Sequence, residues 1–181
     1  MLKERKMPQK PEDAELKERL AAARRRLAGQ QMQIKERKLP VLALMEGWGT
    51  AGKGSIIGQV IRNIDPRFFQ VISLEVASQE DLRKPFLSRY FTKIPEAGKF
   101  VFLDSGWMEE ITRLRLQKGL EGKAYEEKLE SIRRFERQLT DNGYLVVKFF
   151  FQIGEKEQRK RIESLQKDID TRWRVSDSDL W

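Results

Sequence analysis

The stretch "GWGTAGKGS" at residues 47–55 follows directly on "PVLALMEG" at residues 40–47, and the reading of that junction decides the fold. A phosphate-binding loop takes the form G-x-x-x-x-G-K-[ST]. Gly47, Gly52 and Lys53 fit it, Gly54 stands at the Ser/Thr position, and Ser55 comes one residue late. The flanks agree with the loop. Val41 to Met45 form a short continuous apolar run, the mark of a strand buried on both faces. "KGSIIGQVIRNI" reads as the helix after it, with Ile56, Ile57, Val60, Ile61 and Ile64 as its buried side. Gly47, Gly49, Gly52, Lys53, Gly54 and Ser55 are therefore the candidate phosphate cradle. In such a cradle glycines let backbone N–H groups approach an anion, and the helix N-terminus adds partial positive charge. The competing reading is a tight turn with a surface lysine.

Outward from the loop, helix and strand signals alternate. From Pro11 to about Lys38 the pattern is helical, with Leu16, Leu20, Ala23, Leu27 and Ile34 on one stripe and Arg24, Arg25 and Arg26 on a solvated face; residues 1–10 read as disordered. "FFQVISLEV" (68–76), "KFVFLDS" (99–105) and "YLVVKFFFQI" (144–153) read as further strands. Ser78 can cap a helix with Asp81 three residues on, and Pro85 must interrupt it. Residues 107–140 and "GEKEQRKRIESLQKD" are helical. Strands alternating with helices imply an α/β fold with a parallel sheet flanked by helices. The division is an N-terminal tail and amphipathic helix at 1–38 and a domain at 39–181 that opens on the candidate phosphate loop.

Composition narrows the chemistry. The 181 residues contain no cysteine and no histidine, which excludes disulfides, thiolate metal sites and histidine general bases. Catalysis must rest on Lys, Arg, Asp, Glu, backbone amides and a hard cation such as Mg²⁺. The formal net charge of +8 favours a polyanionic partner. The chain shows no nucleic-acid-binding motif, no apolar run long enough to span a bilayer and no secretory signal, so neither nucleic acid nor membrane is expected as a partner and the cytoplasm is the expected location.

"FVFLD" supplies the second candidate. An apolar strand ending in a carboxylate places Asp104 at the C-terminal edge of the sheet, near the loop, where it can hold Mg²⁺ directly or through water. The alternative is a helix cap. Lys53 and Asp104 are the candidate catalytic residues and Asp104 the candidate metal ligand. Trp173, between Arg172 and Arg174, reads as a core anchor, with a base-stacking ring as the alternative.

"EGWGTAGKGSII", "IDPRFFQVISLEVASQED", "IPEAGKFVFLDSGW" and "KFFFQIGEKEQRKRIESLQKDIDTRWRVSDSDL" together resemble the polyphosphate kinase 2 family, from about Glu36 to the end. The resemblance implies a three-layer P-loop kinase-like fold. It also implies Mg²⁺-dependent phosphoryl transfer between polyphosphate and a nucleoside mono- or diphosphate (AMP or ADP), and a homo-oligomer. The family loop resembles G-x-D-x-x-G-K-G-G-[TA], which accounts for Gly54. By resemblance, Arg133, Arg134 and Arg137 and the helix around Gln158 belong to a lid that grips the phosphate chain; the residues alone read as solvent faces.

The departures are specific. Gly49 stands where the family has Asp. The second motif resembles D-R-S-W-Y-x-R, whereas "DSGWMEE" keeps Asp104 and Trp107, puts Ser105 and Glu110 at the arginine positions and Met108 at the tyrosine. Glu109 and Glu110 beside polyphosphate would repel it. "EGW" and "RKPFLSRYF" resemble the degenerate first domain of two-domain polyphosphate:AMP phosphotransferases, and the chain stops before the last strand and helix of the family domain. These features imply weakened transfer, or, as the alternative, a non-catalytic phosphate-binding or dimerisation domain.

Overall fold

A computed structural model describes residues 11–74 and 77–175. The chain runs α1 (Asp13–Glu36), β1 (Val41–Gly47), α2 (Lys53–Ile61), β2 (Phe69–Ser73), α3 (Gln79–Arg83), α4 (Ser88–Phe91), β3 (Phe100–Asp104), α5 (Trp107–Lys118), α6 (Gly122–Asp141), β4 (Leu145–Phe151) and α7 (Glu155–Lys167). Short 3₁₀ turns at Pro66–Phe68 and Arg172–Arg174 complete it. The expectation of disorder at residues 1–10 and the end of the last family-like stretch, from residue 176 on, lie outside the described residues.

The four strands form one parallel sheet in the order β2-β3-β1-β4. Val41 of β1 aligns with Phe100 on one side and Leu145 on the other. Alternation along β1 divides the core. Leu42 and Leu44 join Val101, Leu103, Trp107, Ile111, Ile132, Phe135 and Leu139 under α5 and α6. Val41, Ala43 and Met45 join Ile57, Ile64, Phe100 and Phe102 under α2, with Leu27 and Ile34 of α1 against them. A strand sandwiched between two helical layers needs apolar residues at every position, which is why "VLALM" does not alternate.

Local signals behave as their chemistry dictates. The Ser78 hydroxyl accepts from the Asp81 N–H, Asp81 accepts from the Ser78 N–H, and α3 ends just before Pro85. Three expectations need correction. Ile56 is exposed, because α2 turns Ile57 rather than Ile56 onto the sheet. Leu16 and Leu20 are exposed, because α1 packs against the core through its later residues Leu27 and Ile34. There Gln31 is buried and accepts the Asp65 N–H, and Arg24 donates to Gln59. Trp173 is no core anchor: it is 75% exposed, its indole N–H donates to the Asp170 carbonyl, and the Arg174 guanidinium lies over its ring. Phe149 and Phe150 of β4 are also exposed.

Candidate active site

The loop leaves β1 at its C-terminal end, where parallel topology gathers the ends of β1, β3 and β4. Gly47 has φ +128°, and a Cβ there would collide with the Phe151 carbonyl of β4, so this position has room only for glycine. The chain stays pinned to β4 through Trp48, whose N–H donates to that same carbonyl at 3.1 Å. Gly52, at φ +97°, turns the backbone into α2 and is its N-cap. No side chain caps that N-terminus and its first turn carries no acid. The N-terminal amides of α2 are therefore a ready anion site.

Lys53 is the first residue of α2. Its ammonium donates to the Gly47 carbonyl at 2.9 Å and to Glu109 Oε2 at 2.8 Å. Asp104 ends β3 beside it, close enough that a Cβ on Gly54 would lie 3.5 Å from Asp104 Oδ2. Burial pushes the Asp104 carboxyl up from its usual range; Lys53 opposes the shift and Glu109 adds to it. The structure thus brings Lys53, Gly54 and Asp104 together.

Further contacts shape the site, and local sequence patterns did not disclose their partners. Glu46, buried at the end of β1, accepts the N–H groups of Met108 at 3.2 Å and Glu109 at 3.0 Å, and so caps α5. Desolvation raises its carboxyl above the ordinary value, the two amides pull it back, Glu109 raises it and Lys53 lowers it. Gly106 admits this carboxylate, since a Cβ there would collide with Glu46 Oε1. From α7, Gln158 donates to the Gly49 carbonyl at 3.3 Å and Arg161 to the Thr50 carbonyl at 3.1 Å. Thr50 itself is left-handed, at φ +58°, and its buried hydroxyl has no partner among the described residues. Ser105 is also left-handed, at φ +72°, in the turn from β3 into α5.

The two acids of "DSGWMEE" part company. Glu109 faces the loop lysine. Glu110 does not face the loop: it is only 6% exposed, accepts the Tyr90 hydroxyl at 2.6 Å and lies 3.9 Å from Arg89. Its expected repulsion of a phosphate chain is replaced by a buried structural role, because α5 turns consecutive residues to different sides. Trp107 is fully buried; its indole donates to Glu136, and its ring meets Tyr90 and Phe135 edge-on. Arg133, Arg134 and Arg137 lie on the exposed side of α6, each paired with an acid one turn away. None of these ion pairs reaches the loop.

The donors fit Mg²⁺ of a particular kind. Among the described residues no group of three or more acidic side chains is arranged to hold a metal. One half-buried carboxylate, Asp104, suits an ion that keeps waters and takes its remaining ligands from substrate phosphates, as Mg²⁺ does.

Comparison with known proteins bears on the family and the fold. A family model described as polyphosphate kinase 2 matches residues 10–181. A polyphosphate:AMP phosphotransferase of Pseudomonas syringae is 29% identical over 160 residues, which are 88% of this chain and 32% of that protein. An AMP/ADP-polyphosphate phosphotransferase of Meiothermus ruber is 28% identical over 164 residues, 90% of this chain and 61% of that one. The crystal structure of polyphosphate kinase 2 from Arthrobacter aurescens superposes with a TM-score of 0.82 at 29% identity, covering 89% of this chain and 59% of its own. The chain thus spans about a third of the Pseudomonas syringae relative's length and under two thirds of the others. With a parallel α/β sheet, a glycine loop opening α2 and a match along nearly its whole length, the chain belongs to the polyphosphate kinase 2 family.

Proposed function

We propose that this chain is a phosphoryl-transfer domain that moves a phosphoryl group between polyphosphate and a nucleoside mono- or diphosphate, AMP or ADP, at a slow rate. The observation that carries the reading is the convergence of Lys53, the uncapped N-terminus of α2 and Asp104 at one edge of the sheet.

In this mechanism the amides of Lys53, Gly54 and Ser55 and the Lys53 ammonium hold a terminal phosphate. Asp104 would hold Mg²⁺, which neutralises charge on the phosphoryl oxygens. Gln158 and Arg161 brace the loop through the Gly49 and Thr50 carbonyls and keep its shape as anions bind and leave. No covalent intermediate with the protein is needed, since positioning and charge neutralisation carry most of phosphoryl transfer. The weakness has a structural source. Gly49, Ser105 and Glu110 offer neither a loop carboxylate nor arginines, and the turn at Ser105 carries strain instead.

A second reading, binding without transfer, is favoured by one observation: Lys53 is already paired with Glu109. The test is phosphoryl transfer from polyphosphate to AMP and to ADP with Mg²⁺, alongside polyphosphate binding. Slow Mg²⁺-dependent transfer supports the first reading, and binding with no transfer the second. Cytoplasmic location and self-association belong to the same proposal. Nucleotide substrates and a cysteine-free chain support the former; exposed Leu16, Leu20, Phe149 and Phe150 support the latter. Among the described residues no helix is long and apolar enough to cross a membrane.

A further inference from the structure

We propose that Glu109 is a built-in competitor for the loop lysine: its carboxylate occupies Lys53, an incoming phosphoryl group must displace it, and this one side chain sets the anion affinity of the loop. The inference rests on the reading of the loop as a phosphate site.

Lys53 is largely withdrawn from solvent, its side chain 10% exposed, and among the described residues its ammonium hydrogen-bonds the Gly47 carbonyl and Glu109. The carbonyl contact is neutral, so Glu109 is the hydrogen-bonded partner of opposite charge, while Asp104 and Glu46 act on the ammonium through space. The Glu109 carboxylate holds the same ammonium that the loop reading assigns to a phosphate. Its position is fixed by construction. Glu46 accepts the backbone N–H of Glu109 itself, and Gly106 leaves space for Glu46 to do so. The first turn of α5 is thereby tied to the end of β1, with the Glu109 side chain on the loop side. The helix dipole of α5 favours an acid in that turn.

Glu109 is also free to leave. Its side chain is 38% exposed, so the carboxylate has water to move into once a stronger anion takes the lysine. A polyphosphate terminus carries more charge than one carboxylate and meets the α2 amides as well as Lys53. A singly charged anion has no such advantage. The pair therefore screens the lysine charge until an anion arrives and biases the loop toward multiply charged phosphates.

The test is calorimetric titration of the full chain with inorganic tripolyphosphate at fixed salt. It compares the wild type with Glu109→Gln, Glu109→Ala, Lys53→Ala and the double variant Lys53→Ala/Glu109→Gln. Thermal melts of each variant check folding. The expected result is affinity about two- to fivefold tighter in both Glu109 variants, the size of one modest ion pair, with most of that gain absent when Lys53 is alanine. Unchanged or weaker binding in both Glu109 variants, with Lys53→Ala still weakening the wild type, overturns the inference and leaves the loop site standing. An equal gain in the alanine background also overturns it, since Glu109 would then act by general repulsion rather than by holding Lys53. Absence of binding in every variant removes the loop reading and this inference with it.

Discussion

The hydroxyl of Tyr90 donates a 2.6 Å hydrogen bond to the carboxylate of Glu110, and Arg89 lies 3.9 Å from the same carboxylate. Both partners come from the short helix α4, so this cluster joins α4 to α5. Burial, and the hydrogen bond to Glu110 that stabilises the protonated phenol, raise the Tyr90 pKa well beyond its usual range. Substituting Glu110→Arg to restore the family residue would set a second guanidinium against Arg89 and leave the Tyr90 hydroxyl without its acceptor. We expect a loss of about 3 kcal/mol, the scale for breaking a buried charge pair. The exchange Arg89→Glu/Glu110→Arg should recover part of it. Urea unfolding of the two variants checks this, and a Glu110→Arg variant as stable as wild type would show that the cluster is not structural.

Gly47 offers a steric prediction. A methyl group there meets backbone of β4, which cannot move without breaking the Trp48 to Phe151 hydrogen bond. Gly47→Ala should unfold at markedly lower temperature than wild type. Gly54→Ala should melt close to wild type, because its Cβ would find ordinary contact distance to Asp104. Thermal melts of the pair decide it.

Much of this was readable in advance, and the reason lies in sequence distance. The strand runs, the loop glycines, Asp104 at a strand end and the Ser78–Asp81 cap are written within a few neighbouring residues. Glu46 capping α5, Glu109 reaching Lys53 and Arg161 reaching Thr50 join residues 56 to 111 positions apart. No local pattern marks them. The "EE" of residues 109–110 was legible as two acids, but only the facing of α5 separates one that touches the loop from one that is buried. Leu16, Leu20, Ile56 and Trp173 failed for a related reason: apolar character sets what can be buried, and the extent of neighbouring elements sets what is.

Glu46 gives a pH prediction. Its pKa in the folded chain is raised by desolvation, so the folded state binds its proton more tightly than the unfolded state. A carboxyl of this kind favours folding most below its unfolded pKa and loses that contribution as pH rises through the folded value. The stability of wild type minus that of Glu46→Gln should therefore fall as pH is raised from about 4 through neutrality. Urea unfolding at several pH values measures it; a difference that is flat or grows with pH would contradict the assignment.

Arg161 braces the loop from α7 without forming part of the core. Its guanidinium is shared between Glu157 and the Thr50 carbonyl. Arg161→Ala should cost little in stability, about 0.5–1 kcal/mol for a partly exposed contact, yet weaken tripolyphosphate binding several-fold by loosening the loop. Equal affinity in titrations of the two proteins would remove the bracing role.

On the proposed function, the loop lysine still supports phosphoryl transfer here, slowly. The most direct measurement is the initial rate of ATP formation from polyphosphate and ADP with Mg²⁺, for the wild type and for Lys53→Ala verified as folded. The account predicts a Mg²⁺-dependent wild-type rate and a fall of at least tenfold in the variant, equivalent to about 1.4 kcal/mol of lost transition-state stabilisation. Equal rates in the two proteins, or no wild-type transfer above the uncatalysed background, would contradict it.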